Sequence, residues 1–396
     1  MRVLHIGKFF SPFAGGIENF MLDLLRACNA EGVAQACLVH AAPGQTHDPA
    51  DESFDFLDRF ERVPTVAQIS YAPVSPGFSR VMERMLAEFR PDVLHLHLPN
   101  TSAFWALKSR RARRIPWVVH WHSDVVGPGL DTKLKLLYPF YRPLEQALLK
   151  RASAVIATSP PYLESSRALQ SWRDKCRVIP LGLASDRIQP VAPVEASPGS
   201  EKSPVRWRCD GKFRVLGVGR LSRYKGFGTL IRAAAATDAI ELIIAGEGEQ
   251  RSRLERLVPA HASGRVRLVG GIDDSTRNRL MSECDLFCLP SVNRAEAFGL
   301  SLVEAMAAGK AQLATRVTGS GMGWVVEEGR TGWLVAPGDV DALVGLLRRV
   351  AQDRAVLEQT GARARQSFDA RFGIDAVARQ IVELYRAVLA NPGRAS

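Results

Sequence analysis

The sequence predicts an α/β fold with two doubly wound, Rossmann-like domains, each built on a parallel sheet. In both halves of the chain, apolar runs typical of buried strands alternate with segments typical of amphipathic helices. A chain of 396 residues is too long for one hydrophobic core. A Pro/Ser-rich stretch divides the halves and is typical of a linker. We predict a first domain over residues 1–189, a linker over 190–210, a second domain over 211–372 and a C-terminal helix within 373–396 that crosses back to the first domain.

Composition limits the class of protein. Hydrophobic residues make up 46% and charged residues 23% of the chain, as in ordinary globular enzymes. No apolar run approaches the roughly 20 residues of a membrane span, and the N-terminus lacks the hydrophobic region of a signal peptide. The six cysteines show neither a CxxC motif nor disulfide-like spacing. We therefore expect a cytoplasmic protein with reduced cysteines.

Strands and helices alternate through the first half of the chain. Apolar runs that end in polar, Gly or Pro residues predict buried strands. The predicted strands are Arg2–Phe10, Val33–Ala41, Pro91–Pro99, Ile115–Asp124, Ala152–Ser159 and Cys176–Leu183. The predicted helices are Ile17–Ala30, Arg80–Phe89 and Tyr162–Leu169. Between the second strand and the second helix, His47–Ser75 is polar and irregular, with a strand signal near Phe60–Val63.

The second half repeats this alternation. Its predicted strands are Phe213–Val218, Ile240–Ala245, Arg265–Val269, Asp285–Pro290 and Leu313–Val317. Its predicted helices are Thr229–Thr237, Gln250–Leu257, Asp274–Ser282, Leu300–Ala308, Val340–Val350 and Ala376–Leu389. Ligands of parallel sheets bind at loops beyond the carboxyl ends of the strands. The loops that follow these strands are therefore the predicted binding region.

Glycine-bearing loops at strand ends suit a phosphate group. Gly15-Gly16 precedes the first helix, where unpaired backbone N–H groups can bind an anion. The loop Gly219–Gly226, GRLSRYKG, carries Arg220 and Lys225 directly after a predicted strand. Arginine binds phosphate oxygens with a planar fork, and lysine acts as a movable point charge. A Gly-Gly pair alone also occurs in ordinary turns, so the cationic loop is the more specific of the two.

The stretch Asp285–Val317 combines a strand, a loop, a helix and a second strand. Glu296 precedes the helix, and Glu304 lies about one turn inside it. The N–H groups near Phe298–Ser301 have no intrahelical acceptors and suit a diphosphate. Carboxylates also accept hydrogen bonds from sugar hydroxyls. The stretch therefore suits a nucleotide sugar; in the alternative interpretation, Glu304 only complements the helix dipole.

Two His-x-His pairs end neighbouring predicted strands. His95 and His97 alternate along one strand and His120 and His122 along the next, so each pair shares a face. Such pairs could bind zinc, but their spacing is unusual and no Cys or Asp cluster completes a tetrahedral set. We therefore predict no metal site. A histidine that hydrogen-bonds locally at the sheet edge is the alternative to a functional role for His122.

Together these motifs resemble those of the retaining glycosyltransferases of family four, which have the GT-B fold, two Rossmann-like domains facing a central cleft. Residues 296–309, EAFGLSLVEAMAAG, resemble the family's pattern of two glutamates separated by seven residues. GRLSRYKG, KFFSPFAGGIE and WHSD resemble its other motifs, and the resemblance covers nearly the whole chain. Lys310 departs from the usual proline. It follows the helix, remote from the expected ligand, so we expect little effect.

The resemblance implies a role for each motif. It places Glu296 on the donor sugar, Glu304 on the nucleotide ribose, and Arg220 and Lys225 on the diphosphate. The implied catalytic residues are His122, Arg220, Lys225 and Glu296. The implied donor-binding residues are Gly15, Gly16, Gly219, Arg220, Lys225, Gly271, Phe298, Gly299, Leu300, Ser301 and Glu304. No metal or other cofactor is implied, because cationic side chains neutralise the diphosphate.

Residues 319–326, GSGMGWVV, differ from the family's commoner GGxxE and resemble a bacterial branch that builds O-antigen and other surface polysaccharides. That branch includes mannosyl- and rhamnosyltransferases. It implies transfer of mannose or a deoxyhexose from a GDP-sugar to a saccharide or lipid-linked acceptor, with retention.

Other functions remain as alternatives at this point. One is another GT-B nucleotide-sugar enzyme, such as a UDP-sugar transferase or an epimerase. Another is a non-catalytic nucleotide-binding scaffold, which would be expected to lose one of Arg220, Lys225, Glu296 or Glu304, and all four are present. A dinucleotide oxidoreductase is disfavoured because no GxGxxG follows the first strand.

Two basic segments leave a further choice open. Lys108–Arg114 is KSRRARR, and Thr132–Arg142, TKLKLLYPFYR, interleaves cations with apolar residues in a chain of net charge +11. Charge runs usually form a solvated face. Basic residues among apolar ones also suit an anionic membrane surface, here the inner face of the plasma membrane. No nucleic-acid recognition module is visible, so nucleic acid is not an expected partner.

Overall fold

Apolar strands and amphipathic helices alternate in the computed structural model, which describes residues 1–13, 15–41, 54–69, 72–125, 132–188 and 205–390. Internal contacts divide the chain into one unit of Met1–Gly182 with Ile374–Ser396 and a second unit of Leu183–Gly373. The last helix therefore belongs with the first unit. Residues 189–204, which include most of the predicted linker, lie outside the described residues.

The elements follow the alternation expected from the sequence. The strands are β1 Arg2–Ile6, β2 Ala34–His40, β3 Arg59–Val63, β4 Ala67–Ile69, β5 Ala72–Val74, β6 Val93–Leu98, β7 Trp117–Trp121, β8 Ala154–Ala157, β9 Cys176–Val178, β10 Phe213–Val218, β11 Ile240–Ala245, β12 Val266–Gly270, β13 Leu286–Leu289, β14 Ala311–Thr315 and β15 Gly332–Val335. The helices are α1 Gly16–Ala30, α2 Phe78–Phe89, α3 Trp105–Lys108, α4 Thr132–Arg151, α5 Pro160–Ser165, α6 Phe227–Ala235, α7 Arg251–Glu255, α8 Asp274–Glu283, α9 Leu300–Ala307, α10 Met322–Val325, α11 Val340–Ala351, α12 Arg354–Arg371 and α13 Ile374–Ala390. None of the helices in these ranges is long and apolar enough to cross a bilayer.

The first unit is built on a seven-stranded parallel sheet of order β3-β2-β1-β6-β7-β8-β9. Strands β6 and β7 are buried along their whole length, as a parallel sheet covered on both faces requires. Helix α13 packs against α1, and its buried residues recur every three or four positions. Strand order reverses direction between β1 and β6, so the carboxyl ends of these strands form the switch point of this sheet.

The second unit is built on a six-stranded parallel sheet of order β12-β11-β10-β13-β14-β15. Its central strands are apolar because helices cover both faces, and α6 and α11 contribute to one continuous core cluster. Here strand order reverses between β10 and β13. The loops after these two strands carry Lys225 and Glu296, so the predicted site lies at the switch point of this sheet.

Several element predictions were incomplete. Strand β1 ends at Ile6 rather than Phe10, and α5 begins earlier than predicted, with Pro160 in its first turn. Helix α4 continues through Pro139 and Pro143, although prolines disfavour helix interiors. The prediction missed α12 because its sequence is mostly polar and contains a glycine. A Cβ at Gly361 would lie 2.2 Å from a backbone oxygen at the end of α9, so this glycine permits the two helices to meet closely.

Candidate active site

Close backbone packing fixes the cationic loop at the end of β10. Gly226 has φ of +69°, and a Cβ there would lie 2.0 Å from the backbone oxygen of Pro290, at the end of β13. The N–H of Val292 donates to the oxygen of Tyr224 at 2.7 Å. The loop after β10 is therefore held directly against the loop after β13, and only glycine fits at the contact. This packing brings Lys225, the last cation of the loop, towards Glu296.

Lys225 and Glu296 form a buried ion pair. The Nζ of Lys225 lies 2.6 Å from Oε2 of Glu296, and the two side chains are 11% and 10% exposed. Burial is the largest influence and would lower the pKa of Lys225, but the charge and hydrogen bond of Glu296, together with Tyr224 and Glu304, outweigh it, so this pKa lies above its usual value. The lysine is thus a permanent cation at the strand end. An ammonium has three donors, and the pair with Glu296 uses one of them.

Two serines that the sequence analysis missed hold Glu296. The Ser291 hydroxyl donates to Oε2 of Glu296 at 3.0 Å, and the Ser320 hydroxyl donates to its backbone oxygen at 2.5 Å. Ser291 lies two residues beyond the end of β13, and Ser320 belongs to the GSG segment. No described residue donates to Oε1 of Glu296. One carboxylate oxygen is therefore fixed by the protein and the other can accept a ligand hydroxyl.

Glu304 lies in a different setting, beside an arginine that the sequence analysis also missed. It is 7% exposed, and its Oε1 lies 3.9 Å from a guanidinium nitrogen of Arg277 in α8. The same nitrogen donates to Asp274 at 2.8 Å. Burial raises the pKa of Glu304, while Arg277 acts in the opposite direction. Arg277 thus helps to keep a buried carboxylate available as an acceptor.

Helix α9 begins at Leu300, directly after the loop that carries Glu296. Gly299 is its N-cap with φ of +87°, and a Cβ there would lie 2.9 Å from the side chain of Leu302. The hydroxyl of Ser301 is buried without a hydrogen-bond partner among the described residues. The side chain of Phe298 packs near Trp324 and Phe372, so only its backbone is available to a ligand.

The other predicted residues of the second unit differ in exposure. Arg220 follows Gly219 at the end of β10 and is 58% exposed, with its guanidinium 3.6 Å from Glu249. Gly219 has φ of +152°, and the Lys225 side chain lies against it. The N–H of Gly271 donates to Glu247 at 3.0 Å and is therefore already engaged.

The predicted residues of the first unit lie at the start of α1 and at the end of β7. Gly15 is the N-cap of α1, and a Cβ there would lie 2.1 Å from a carboxylate oxygen of Glu18. Gly16 opens the helix. His122 is 4% exposed, which excludes the interpretation of a histidine at the surface edge of the sheet. Its Nε2 lies 3.1 Å from Nδ1 of His97.

The two His-x-His pairs belong to a larger row of imidazoles that the sequence analysis did not foresee. His5 in β1 joins them, because β1 pairs with β6 in a register that puts His5 beside His95. Burial lowers the pKa of His5 and of His122 to about 3, so both are neutral. The sequence analysis did not single out His5, because one histidine within an apolar strand does not by itself indicate a site.

Comparisons with known proteins agree with this architecture. Residues 15–182 match the family described as glycosyl transferase 4-like domain, and residues 201–367 match glycosyl transferases group 1. The chain is 26% identical over 392 residues to O-antigen chain mannosyltransferase C of Escherichia coli, covering 98% of this chain and 99% of the relative. It is 28% identical to the D-rhamnosyltransferase WbpZ of Pseudomonas aeruginosa, covering 93% of each chain.

Solved structures show the same fold. A sucrose-phosphate synthase from Thermosynechococcus elongatus aligns with a TM-score of 0.80 at 25% identity, covering 98% of this chain and 99% of that one. HepE of Anabaena, solved with UDP-glucose, aligns with a TM-score of 0.72 at 22% identity, covering 98% and 100% of the two chains. With both halves matched to glycosyltransferase families and the full length shared with sugar transferases, the chain belongs to the group 1 glycosyltransferases and has their GT-B fold.

Proposed function

We propose that this enzyme transfers mannose or a deoxyhexose from a GDP-sugar to a saccharide or lipid-linked acceptor in bacterial surface-polysaccharide synthesis, with retention at the anomeric carbon. The names of the relatives support the sugar and the pathway class, because they include an O-antigen mannosyltransferase and a D-rhamnosyltransferase. The main observation that supports a reaction site at the ends of β10 and β13 is the buried ion pair of Lys225 and Glu296.

The donor diphosphate binds at the carboxyl ends of β10 and β13. Lys225 directs its two remaining N–H bonds to phosphate oxygens, and Arg220 moves from the solvent-exposed edge onto the same group. The backbone N–H groups at Leu300 and Ser301 add donors at the start of α9. These groups stabilise the negative charge that develops on the departing diphosphate without a metal ion.

The sugar and the ribose bind to the two glutamates. The free oxygen of Glu296 accepts a hydrogen bond from a hydroxyl of the donor sugar, and Glu304, beside Arg277, accepts from the ribose. The family resemblance also assigns His122 to the donor sugar and assigns acceptor binding to the first unit. The carboxylates thus orient the substrate while the cations bind the leaving group.

Retention follows from attack on the face that the leaving group vacates. The bond between the anomeric carbon and the diphosphate oxygen breaks, and the acceptor hydroxyl oxygen bonds to the same face. Its proton passes to the departing diphosphate oxygen. Lys225 acts on this step by stabilising the leaving group, and no enzyme carboxylate has to form a covalent bond.

A donor screen tests this proposal. GDP, UDP and ADP are added to the purified protein in a thermal-shift assay, and transfer is then measured with GDP-mannose and with UDP-glucose. A specific ligand at 100 times its Kd stabilises a protein by about 2.7 kcal/mol. We expect the shift with GDP and transfer from GDP-mannose with an unchanged anomeric configuration. A shift with UDP alone, or an inverted product, would contradict the proposal.

A further inference from the structure

Five buried imidazoles lie side by side on one face of the first sheet. They come from three neighbouring strands, β1, β6 and β7, whose register pairs His5 with His95 and His97 with His120. All five are between 0% and 4% exposed. The five are His5, His95, His97, His120 and His122.

Three of these rings form a hydrogen-bonded chain. Nδ1 of His5 lies 3.2 Å from Nε2 of His97, and Nδ1 of His97 lies 3.1 Å from Nε2 of His122. The corresponding ring centroids are 5.6 and 5.4 Å apart with interplanar angles of 26° and 11°. These rings therefore meet edge to edge, with their nitrogens in line.

The other two imidazoles stack on this chain instead. His95 lies face to face with His97 at 4.4 Å, and His120 with His122 at 4.3 Å and 5°. A single metal ion would have to lie in the plane of each ring that binds it. Two parallel rings at this separation cannot share such an ion. The geometry therefore favours a hydrogen-bonded chain over a metal site.

In a chain of neutral imidazoles, the tautomer of one ring sets that of the next. Each ring has one N–H donor and one bare acceptor nitrogen. If Nε2 of His5 carries its proton, Nδ1 of His5 must accept from Nε2 of His97. Nδ1 of His97 must then accept from Nε2 of His122. Nδ1 of His122 is left as a bare acceptor.

Gln35 selects this state. Its amide nitrogen donates to the backbone oxygen of Leu25 at 2.6 Å, which identifies the other amide atom as the carbonyl oxygen. That Oε1 and Nε2 of His5 are both buried without partners among the described residues. Hydrogen bonding with Gln35 raises the pKa of His5 against the lowering that burial causes, as a carbonyl acceptor for the ring N–H does. An N–H on Nε2 of His5 satisfies both atoms.

We propose that Gln35, His5 and His97 are positioning residues that fix His122 as the Nε2–H tautomer and present its bare Nδ1 as a hydrogen-bond acceptor for a sugar hydroxyl. Nδ1 of His122 is buried and has no partner among the described residues, so it has an unused acceptor position. The tautomers of His5, His97 and His122 can be tested on the free protein without any substrate. Only the identity of the hydroxyl rests on the proposed glycosyl transfer.

Nitrogen NMR of the free, histidine-labelled protein tests the chain without any substrate. We expect His5, His97 and His122 each to carry a proton on Nε2 and a bare Nδ1. Addition of Zn²⁺ should leave these resonances in place. A proton on Nδ1 of His97 or His122, or a shift of the bare nitrogens with Zn²⁺, would overturn the proposal.

Variants of His97 separate positioning from simple packing. Glutamine can accept from His122 with its oxygen and donate to His5 with its amide, so His97→Gln should preserve the tautomer of His122. His97→Phe cannot, and His122 should then populate both tautomers, with kcat/KM lower by about two- to ten-fold, the factor of one ordinary hydrogen bond. His120→Phe is the matched control, since His120 stacks on His122 without bonding to it. An equal loss in all three variants, with the tautomer unchanged, would overturn the positioning role.

If the wild-type spectrum shows the expected tautomers but no sugar nucleotide is a substrate, the inference about the histidine tautomers holds and the proposed function fails. If sugar transfer occurs but the tautomers differ from those expected, only the inference about the histidine tautomers fails.

Discussion

The ammonium of Lys225 lies 2.6 Å from the carboxylate of Glu296, and both side chains are about nine-tenths buried. The partners come from loops that follow adjacent central strands, β10 and β13, where the strand order of the sheet reverses. Each charge would be costly to bury alone, so each holds the other at the strand ends. This pairing links the stability of the site to its proposed chemistry.

Removal of Glu296 should therefore affect both activity and stability. Glu296 and Glu304 are both buried residues, 8% and 7% exposed, so removal of either carboxylate acts on the fold as well as on the site. We expect Glu296→Ala to leave a buried cation unpaired, at a cost of about 3–5 kcal/mol in the free energy of unfolding. Urea unfolding and initial rates measure the two effects.

Glu304 provides the comparison, because its nearest cation, at 3.9 Å, also has a second carboxylate partner in Asp274. Glu304→Gln should lose transfer with a smaller change in stability than Glu296→Ala. Glu283→Gln, at the last residue of α8, where the side chain is 37% exposed, is the control and should change neither. If either site variant transfers sugar at a near wild-type rate with saturating donor, its assigned role is wrong.

Transfer should not require a divalent metal. The cations Arg220 and Lys225 and the start of α9 supply the positive potential that a metal would provide at the diphosphate. We expect equal initial rates before and after EDTA treatment and gel filtration. Loss of activity on chelation, with recovery on addition of Mg²⁺ or Zn²⁺, would contradict this and would favour a metal site at the buried histidines.

Acid should destabilise the first unit through the histidines. Burial lowers the pKa of His5 and His122 to about 3, whereas an unfolded histidine has a pKa of about 6.5. The neutral fold is therefore fully stable above pH 6.5 and loses stability as the pH falls from there towards 3. Each such histidine contributes at most about 1.4 kcal/mol of lost stability per pH unit in that window.

Burial also raises the pKa of the carboxyls Glu18, Glu145 and Glu304, which work in the opposite sense; Glu145 lies within the pH window of the measurement and must be removed from it. Burial raises the pKa of Glu145 to about 7, so its contribution to stability is full at low pH and is lost as the pH rises through 7. The urea midpoint of Glu145→Gln should be lower at pH 5.5 than at pH 7. Adding His120→Phe should reduce that difference. An identical midpoint at both pH values would show that the histidines are not held neutral by the fold.

The exposed side chains of α4 support membrane association more specifically than the basic composition of Lys108–Arg114 and Thr132–Arg142 does. Leu136, Phe140 and Leu144 recur every four residues on this helix and are 72%, 79% and 45% exposed. Lys108, Arg110, Arg111, Arg113 and Arg114 are exposed as well, whereas the side chains of Lys133 and Lys135 lie outside the described residues. An apolar stripe with nearby cations suits an anionic interface.

We expect the protein to co-sediment with anionic liposomes at low salt and to release at high salt. Phe140→Ser and the pair Arg113→Ser with Arg114→Ser should each weaken binding. Arg349→Ser with Arg354→Ser removes the same charge from another exposed surface and should not. Equal binding to neutral liposomes, or no binding to anionic ones, would indicate that these residues form an ordinary solvated surface.

Periodicity and composition predicted most of the fold because each strand and helix is a local feature. They also identified Lys225 and Glu296 separately, from loops that follow strands. They did not show that the two pair, since the pairing depends on the strand order of the sheet. Arg277 was missed because α8 is mostly polar and nothing local marks one of its arginines. His5 was missed because its importance comes from the register between β1 and β6.

The central claim is that Lys225 binds the leaving diphosphate, and calorimetric titration with initial rates tests it most directly. Nucleoside and nucleoside diphosphate are titrated into the wild type, Lys225→Ala and Lys225→Arg. Arg223→Ala, which removes an exposed cation from the same loop, is the control. Charge-assisted hydrogen bonds contribute about 1.5–3 kcal/mol.

We predict that Lys225→Ala weakens binding of the nucleoside diphosphate by roughly ten- to a hundred-fold and lowers kcat further, because the contact strengthens as charge develops. Binding of the nucleoside should hardly change, and Lys225→Arg should recover only part of the loss. An equal loss of affinity for nucleoside and nucleoside diphosphate would place Lys225 in the fold or on the nucleoside, and would contradict its role at the leaving group.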